Sequence, residues 1–154
     1  MARHLLQRSR CLVIHPPLKV AAMVTRAVSI VVADDDQAIA NLLCDILGDE
    51  GYHVICCSSG QEAIKAIQEH KPAAVILDMQ METRMSGFEV VQILRSDASM
   101  RHIPVIIYSA DSRLLHQMRE QLLAHHCEIL SKPFYLQDLL SLIERLIPLT
   151  EREV

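Results

Sequence analysis

A chain of 154 residues of which 51% are apolar is long enough to bury one sizeable core, and 3% aromatic residues with no Trp argue against stacking platforms for single-stranded nucleic acid. The formal charge of -4 is uneven: residues 1–27 carry Arg3, Arg8, Arg10, Lys19 and Arg26 and no acid, so the remainder stands at -9, a poor surface for neutralising DNA phosphates. No apolar run approaches the roughly 20 residues a membrane helix needs, so neither membrane insertion nor direct nucleic-acid binding is expected, and the expected location is the cytoplasm.

Residues 1–27 read as a basic, disordered or weakly ordered extension. Leu12-Val13-Ile14 is short and His15-Pro16-Pro17 interrupts it, which disfavours a secretory signal; Met23 offers an alternative initiator. From Val28 the pattern alternates between strand and helix. Val28 to Ala33 is an apolar run that ends in Asp34-Asp35-Asp36. Ile39, Leu42, Leu43, Ile46 and Leu47 then recur at helical spacing, with Asp36 available as N-cap and Gly48 to Gly51 as the stop. Tyr52 to Cys57 reads as a strand, and Ser59-Gly60-Gln61-Glu62 fits a capping box opening a helix to about His70.

Pro72 closes that helix before Ala74-Val75-Ile76-Leu77, which ends in the lone carboxylate of Asp78. A polar, Met-rich loop from Met79 to Ser86 follows, then a helix from about Gly87 to Arg95. Val105 to Tyr108 runs into Ser109, Asp111-Ser112 can cap a helix through Leu122 and Leu123, and Ile129-Leu130 leads into Ser131-Lys132-Pro133. The last helix spans about Tyr135 to Ile147, with 148–154 as a short tail. The five cysteines, Cys11, Cys44, Cys56, Cys57 and Cys127, lack C-x-x-C spacing and read as small buried hydrophobes in a reducing compartment.

Strands alternating with helices of this length imply repeated βαβ units: a single α/β domain over 28–147 with a doubly wound, five-stranded parallel sheet. Sites in such sheets form beyond the carboxyl ends of the strands. The acid cluster, Asp78, Ser109 and Lys132 all fall at those ends.

Three consecutive carboxylates repel one another and resist desolvation, so they need a reason. Asp36 can serve as an N-cap with Asp34 and Asp35 as surface charge. A divalent cation explains them better, because Mg²⁺ prefers oxygen ligands and is satisfied by one or two carboxylates plus phosphoryl oxygens and waters. Asp78 could then be a ligand, or also a nucleophile, since a carboxylate can attack a phosphoryl group to give an acyl phosphate. Mg²⁺, the Lys132 ammonium and the Ser109 hydroxyl would neutralise the transferred group.

In this order and spacing the residues resemble the receiver (CheY-like) domains of two-component response regulators. The motifs are Asp34-Asp35, Asp78, Met85 to Glu89 (Met-Ser-Gly-Phe-Glu), Ser109-Ala110 and Lys132-Pro133-Phe134, and the resemblance covers about Val28 to Ile147. It implies a flavodoxin-like fold and a phosphoryl group accepted on Asp78 from a sensor histidine kinase or a histidine phosphotransfer protein. It also implies Mg²⁺ held by Asp34, Asp35, Asp78 and the Gln80 backbone carbonyl, with Ser109 and Lys132 meeting the phosphoryl group and a cis Lys132-Pro133 bond.

Two positions depart from the family pattern. Glu82 stands where Pro is usual, in a loop one residue longer than normal, and Ile129 stands where an aromatic switch residue is common. Tyr108 is no obvious replacement, because it faces the other side of its strand from Ser109. The output expected from the resemblance is a protein contact on the face of the fourth helix, fifth strand and fifth helix, roughly Leu114 to Ile147, with a phosphorylation-linked homodimer as a further partner. The function is then that of a phosphoacceptor signalling domain rather than an enzyme. A phosphorylation-independent docking or dimerisation module is the alternative. A haloacid-dehalogenase type hydrolase is disfavoured, because that family looks for a second Asp where Gln80 stands.

Overall fold

The computed structural model describes residues 13–14, 27–81 and 85–148. A six-stranded sheet in the order β1-β3-β2-β4-β5-β6 carries β1 (Val13–Ile14), β2 (Ser29–Ala33), β3 (His53–Cys57), β4 (Ala74–Asp78), β5 (Val105–Ser109) and β6 (Cys127–Ser131). Strands β2 to β6 are mutually parallel, as expected. The helices are α1 (Gln37–Asp49), α2 (Gly60–His70), α3 (Gly87–Ser96), α4 (Ser112–Ala124) and α5 (Leu136–Leu146).

Every residue of the central β4 and of β5 is buried, which is why both read as unbroken apolar runs rather than alternating ones. Alternate residues still divide between two layers. Val31, Ala33, Val75, Leu77, Val105 and Ile107 pack with α2, α3 and α4, whereas Ile30, Val32, Ala74, Ile76, Ile106 and Tyr108 pack with α1 and α5.

Local signals placed most helix starts. Asp36 caps α1 by accepting from Ala38 N–H and Ile39 N–H, and Asp111 caps α4 through Leu114 N–H at 2.9 Å. Ser59 accepts from Glu62 N–H, but the reciprocal arm of the expected box lands elsewhere: the Glu62 carboxylate takes Ser58 N–H at 2.9 Å. A complete capping box occurs instead at Ser86 and Glu89, opening α3. Gly48 is not a stop; it is buried inside α1, and the chain turns at Gly51, whose φ of 93° suits glycine.

Two further expectations need correction. The sheet has a sixth, antiparallel strand, because Val13 pairs with Ile55 and Ile14 with Val54 on β3. Without it β3 would be an open edge whose backbone groups lack partners, so the extension is not wholly irregular; its other residues to Arg26 lie outside the described ones. Cys44 on α1 and Cys56 on β3 form a disulfide with Cα atoms 6.6 Å apart, where α1 lies across β3. Cys57 and Cys127 are buried, as expected of small hydrophobes. Residues 149–154 lie outside the described ones.

Candidate functional site

Strand alternation builds the site. On β2, Ile30 and Val32 face the α1/α5 layer, so one further step puts Asp34 on that face; on β4, Ala74 and Ile76 do the same for Asp78. The β2–β4 register ends at Ala33 with Leu77, which brings Asp34 beside Asp78, and Asp78 pairs directly with Tyr108 on β5. Three side chains on three adjacent strands therefore form one row. The hydroxyl of Ser109 falls on the opposite face of β5.

Apart from Tyr108, the buried polar or charged residues among the described ones are Asp34, Asp78 and Ser109. Buried carboxylates need partners, and these have them. Asp34 Oδ1 accepts Asp36 N–H at 2.8 Å, while Asp34 Oδ2 accepts the Tyr108 hydroxyl and faces Lys132 Nζ at 3.3 Å. Asp78 Oδ1 accepts Gln80 N–H at 3.1 Å, and Asp78 Oδ2 lies 3.6 Å from the same ammonium. Lys132 is positioned from the next strand, its backbone N–H donating to Ser109 O at 2.8 Å and its peptide to Pro133 being cis.

Burial pushes the Asp78 carboxyl up to about 6, with the Asp34 charge adding to the rise and the Gln80 N–H and Lys132 opposing it. Burial, the hydrogen bond to Asp34 and the surrounding carboxylates raise the Tyr108 phenol well above its ordinary value, so it remains a donor.

The loop after Asp78 folds back onto it. Gly87 N–H donates to Met79 O at 3.2 Å, and a Cβ on Gly87 would stand 2.3 Å from the Asp78 carbonyl oxygen, so only glycine allows α3 to start there. Glu82 lies outside the described residues. Ser109 Oγ accepts Asp111 N–H at 3.1 Å, which ties it to the start of α4 rather than to Asp78. Ile129 packs into the α2–α4 layer.

Oxygens of Asp34, Asp35 and Asp78 lie within 4.8 Å of one another. Gln80 borders the adjoining cleft with Asp35, Asp36 and Met81. An all-oxygen donor set with a raised carboxyl at its centre fits Mg²⁺, whose charge would relieve the repulsion within the row. Tyr108 is the member of this row not anticipated from sequence; the signal was available in its parity, which matches that of Asp34 and Asp78.

The model of the family described as response regulator receiver domain matches residues 30–144. The polar-differentiation response regulator DivK of Brucella ovis is 35% identical over 82 residues, which span 53% of this chain and 66% of that protein. Among solved structures, the receiver domain of the Francisella response regulator 1452 is 28% identical with a TM-score of 0.69, covering 79% of this chain and 98% of that one. A receiver domain protein from Clostridium thermocellum is 26% identical with a TM-score of 0.71, covering 82% and 99%.

Proposed function

The chain belongs to the response regulator receiver domain family, and on that premise we propose that Asp78 accepts a phosphoryl group from a phosphohistidine of a sensor kinase or phosphotransfer protein, the event being passed on by protein contact. A receiver is a signalling domain rather than a classical enzyme. The observation that carries the reading is one ammonium between two buried acids: Lys132 Nζ is 3.3 Å from Asp34 and 3.6 Å from Asp78.

In the transfer an oxygen of Asp78 forms a bond to phosphorus as the bond from phosphorus to the donor imidazole nitrogen breaks, and the imidazole leaves neutral after taking a proton. The transition state asks for little covalent help and much charge neutralisation. Lys132 turns from the two carboxylates to the phosphoryl oxygens, and Ser109 exchanges its bond with Asp111 N–H for one in which its hydroxyl donates to the phosphoryl group. Asp34, Asp35 and Asp78 are the side chains that would hold Mg²⁺ with the Gln80 carbonyl, the ion supplying neutralisation of the equatorial oxygens.

Ser109 is linked to the first turn of α4 through Asp111, so moving its hydroxyl loosens that cap. Leu123, Tyr135 and Leu136, all exposed, suit a protein partner on the α4/β6/α5 side, in the cytoplasm. Intact-mass measurement after incubation with acetyl phosphate and Mg²⁺ tests the reading. Wild type should gain one phosphoryl group and Asp78→Asn none. A wild type that gains nothing where other receivers are labelled would leave a docking module instead.

A further inference from the structure

We infer that Tyr108 is a positioning residue of the phosphoryl site, its hydroxyl occupying Asp34 Oδ2 so that the Lys132 ammonium stays shared between Asp34 and Asp78. The inference deepens the reading above and rests on it.

Asp34 is wholly buried and both its oxygens are engaged, Oδ1 by Asp36 N–H and Oδ2 by the Tyr108 hydroxyl. An ammonium paired with a carboxylate normally closes to about 2.7–2.9 Å. Lys132 does not: it stands 3.3 Å from one acid and 3.6 Å from the other, locked on neither. A desolvated carboxylate attracts a cation strongly, and the phenol, a neutral donor on the same oxygen, answers part of that demand without adding charge.

The ring supports the same arrangement. Lys132 Nζ lies 4.3 Å from the Tyr108 ring centroid, within cation–π range, so the ammonium has a third, neutral support that does not compete for it as a formal charge would. Phe134 meets the ring edge-on, with centroids 6.2 Å apart, and fixes its plane from the far end of the Lys132-Pro133 turn. Removing the hydroxyl alone leaves Asp34 Oδ2 to Lys132. The ammonium then closes onto Asp34 and is withdrawn from the oxygens that a phosphoryl group on Asp78 would present.

Tyr108→Phe keeps the ring, its contact with Phe134 and the cation–π support. Titration calorimetry of the full chain with Mg²⁺ alone, and with beryllofluoride plus Mg²⁺ as an aspartyl phosphate mimic, separates the two ligands. Mg²⁺ should bind within about twofold of wild type, whereas beryllofluoride affinity should fall about tenfold, the order expected for one hydrogen bond to a charged group. Unchanged beryllofluoride affinity, or a loss shared equally with Mg²⁺ affinity and melting temperature, would overturn the inference and leave Tyr108 as core filling. A wild type that takes no beryllofluoride removes the underlying reading and the inference with it, whereas equal binding by wild type and variant removes the inference alone.

Discussion

The two layers over the sheet behave differently although the same strands feed both. Toward α2, α3 and α4 the buried side chains of the strands are apolar among the described residues, apart from Ser109, which is turned to the start of α4. Toward α1 and α5 the apolar rows of β2, β4 and β5 end in Asp34, Asp78 and Tyr108. Both layers are apolar cores, and the α1/α5 one also ends in buried charge, at a boundary set by the carboxyl ends of the strands. Chemistry that needs buried charge sits where close packing can hold its partners.

If that division holds, a core deletion in the α2–α4 layer should weaken the fold without touching the site. Leu94 is fully buried there, and Leu94→Ala should cost about 3–4 kcal/mol in urea denaturation. Mg²⁺ affinity of the folded fraction should be unchanged; a parallel loss would break the comparison. Gly87→Ala tests the boundary itself, because its Cβ would collide with the Asp78 carbonyl. A loss of about 3 kcal/mol is expected, together with weaker Mg²⁺ binding, as the loop is forced off Asp78.

Asp78→Asn should act in the opposite direction. With the folded carboxyl raised to about 6 from 3.8, the folded state keeps a proton that the unfolded chain has already released between those values. The carboxylate's cost therefore grows as pH rises through that window and is complete above it. Near pH 7.5 without Mg²⁺ the variant should be about 2 kcal/mol more stable than wild type, and near pH 4 the two should converge. Equal stability at both pH values would mean that the site is not strained by its own charge. Mg²⁺ should stabilise wild type more than the variant.

The smallest effect expected is at the link between the layers. Asp111→Ala removes the α4 cap and should cost about 1 kcal/mol, with hydrogen exchange rising first at Leu114 and Leu115. Faster exchange spread evenly over α1 and α5 would argue against a local link.

Much of this was written locally. Strand and helix alternation, the caps at Asp36 and Asp111 and the delivery of Asp34, Asp78, Ser109 and Lys132 to strand ends depend on residues close in sequence, whose spacing and side-chain chemistry can be read directly. The family model and the solved receivers agree with the fold so derived. Contacts between distant segments were not legible in the same way. Tyr108 lies 74 residues from Asp34, and only the combined register of β2, β4 and β5 brings them together. Cys44 and Cys56 meet because α1 crosses β3, and Val13–Ile14 find a partner because β3 would otherwise be an edge. Periodicity determines which face a side chain takes, whereas the identity of its neighbours on that face depends on strand order and register, which are settled only when the layers pack.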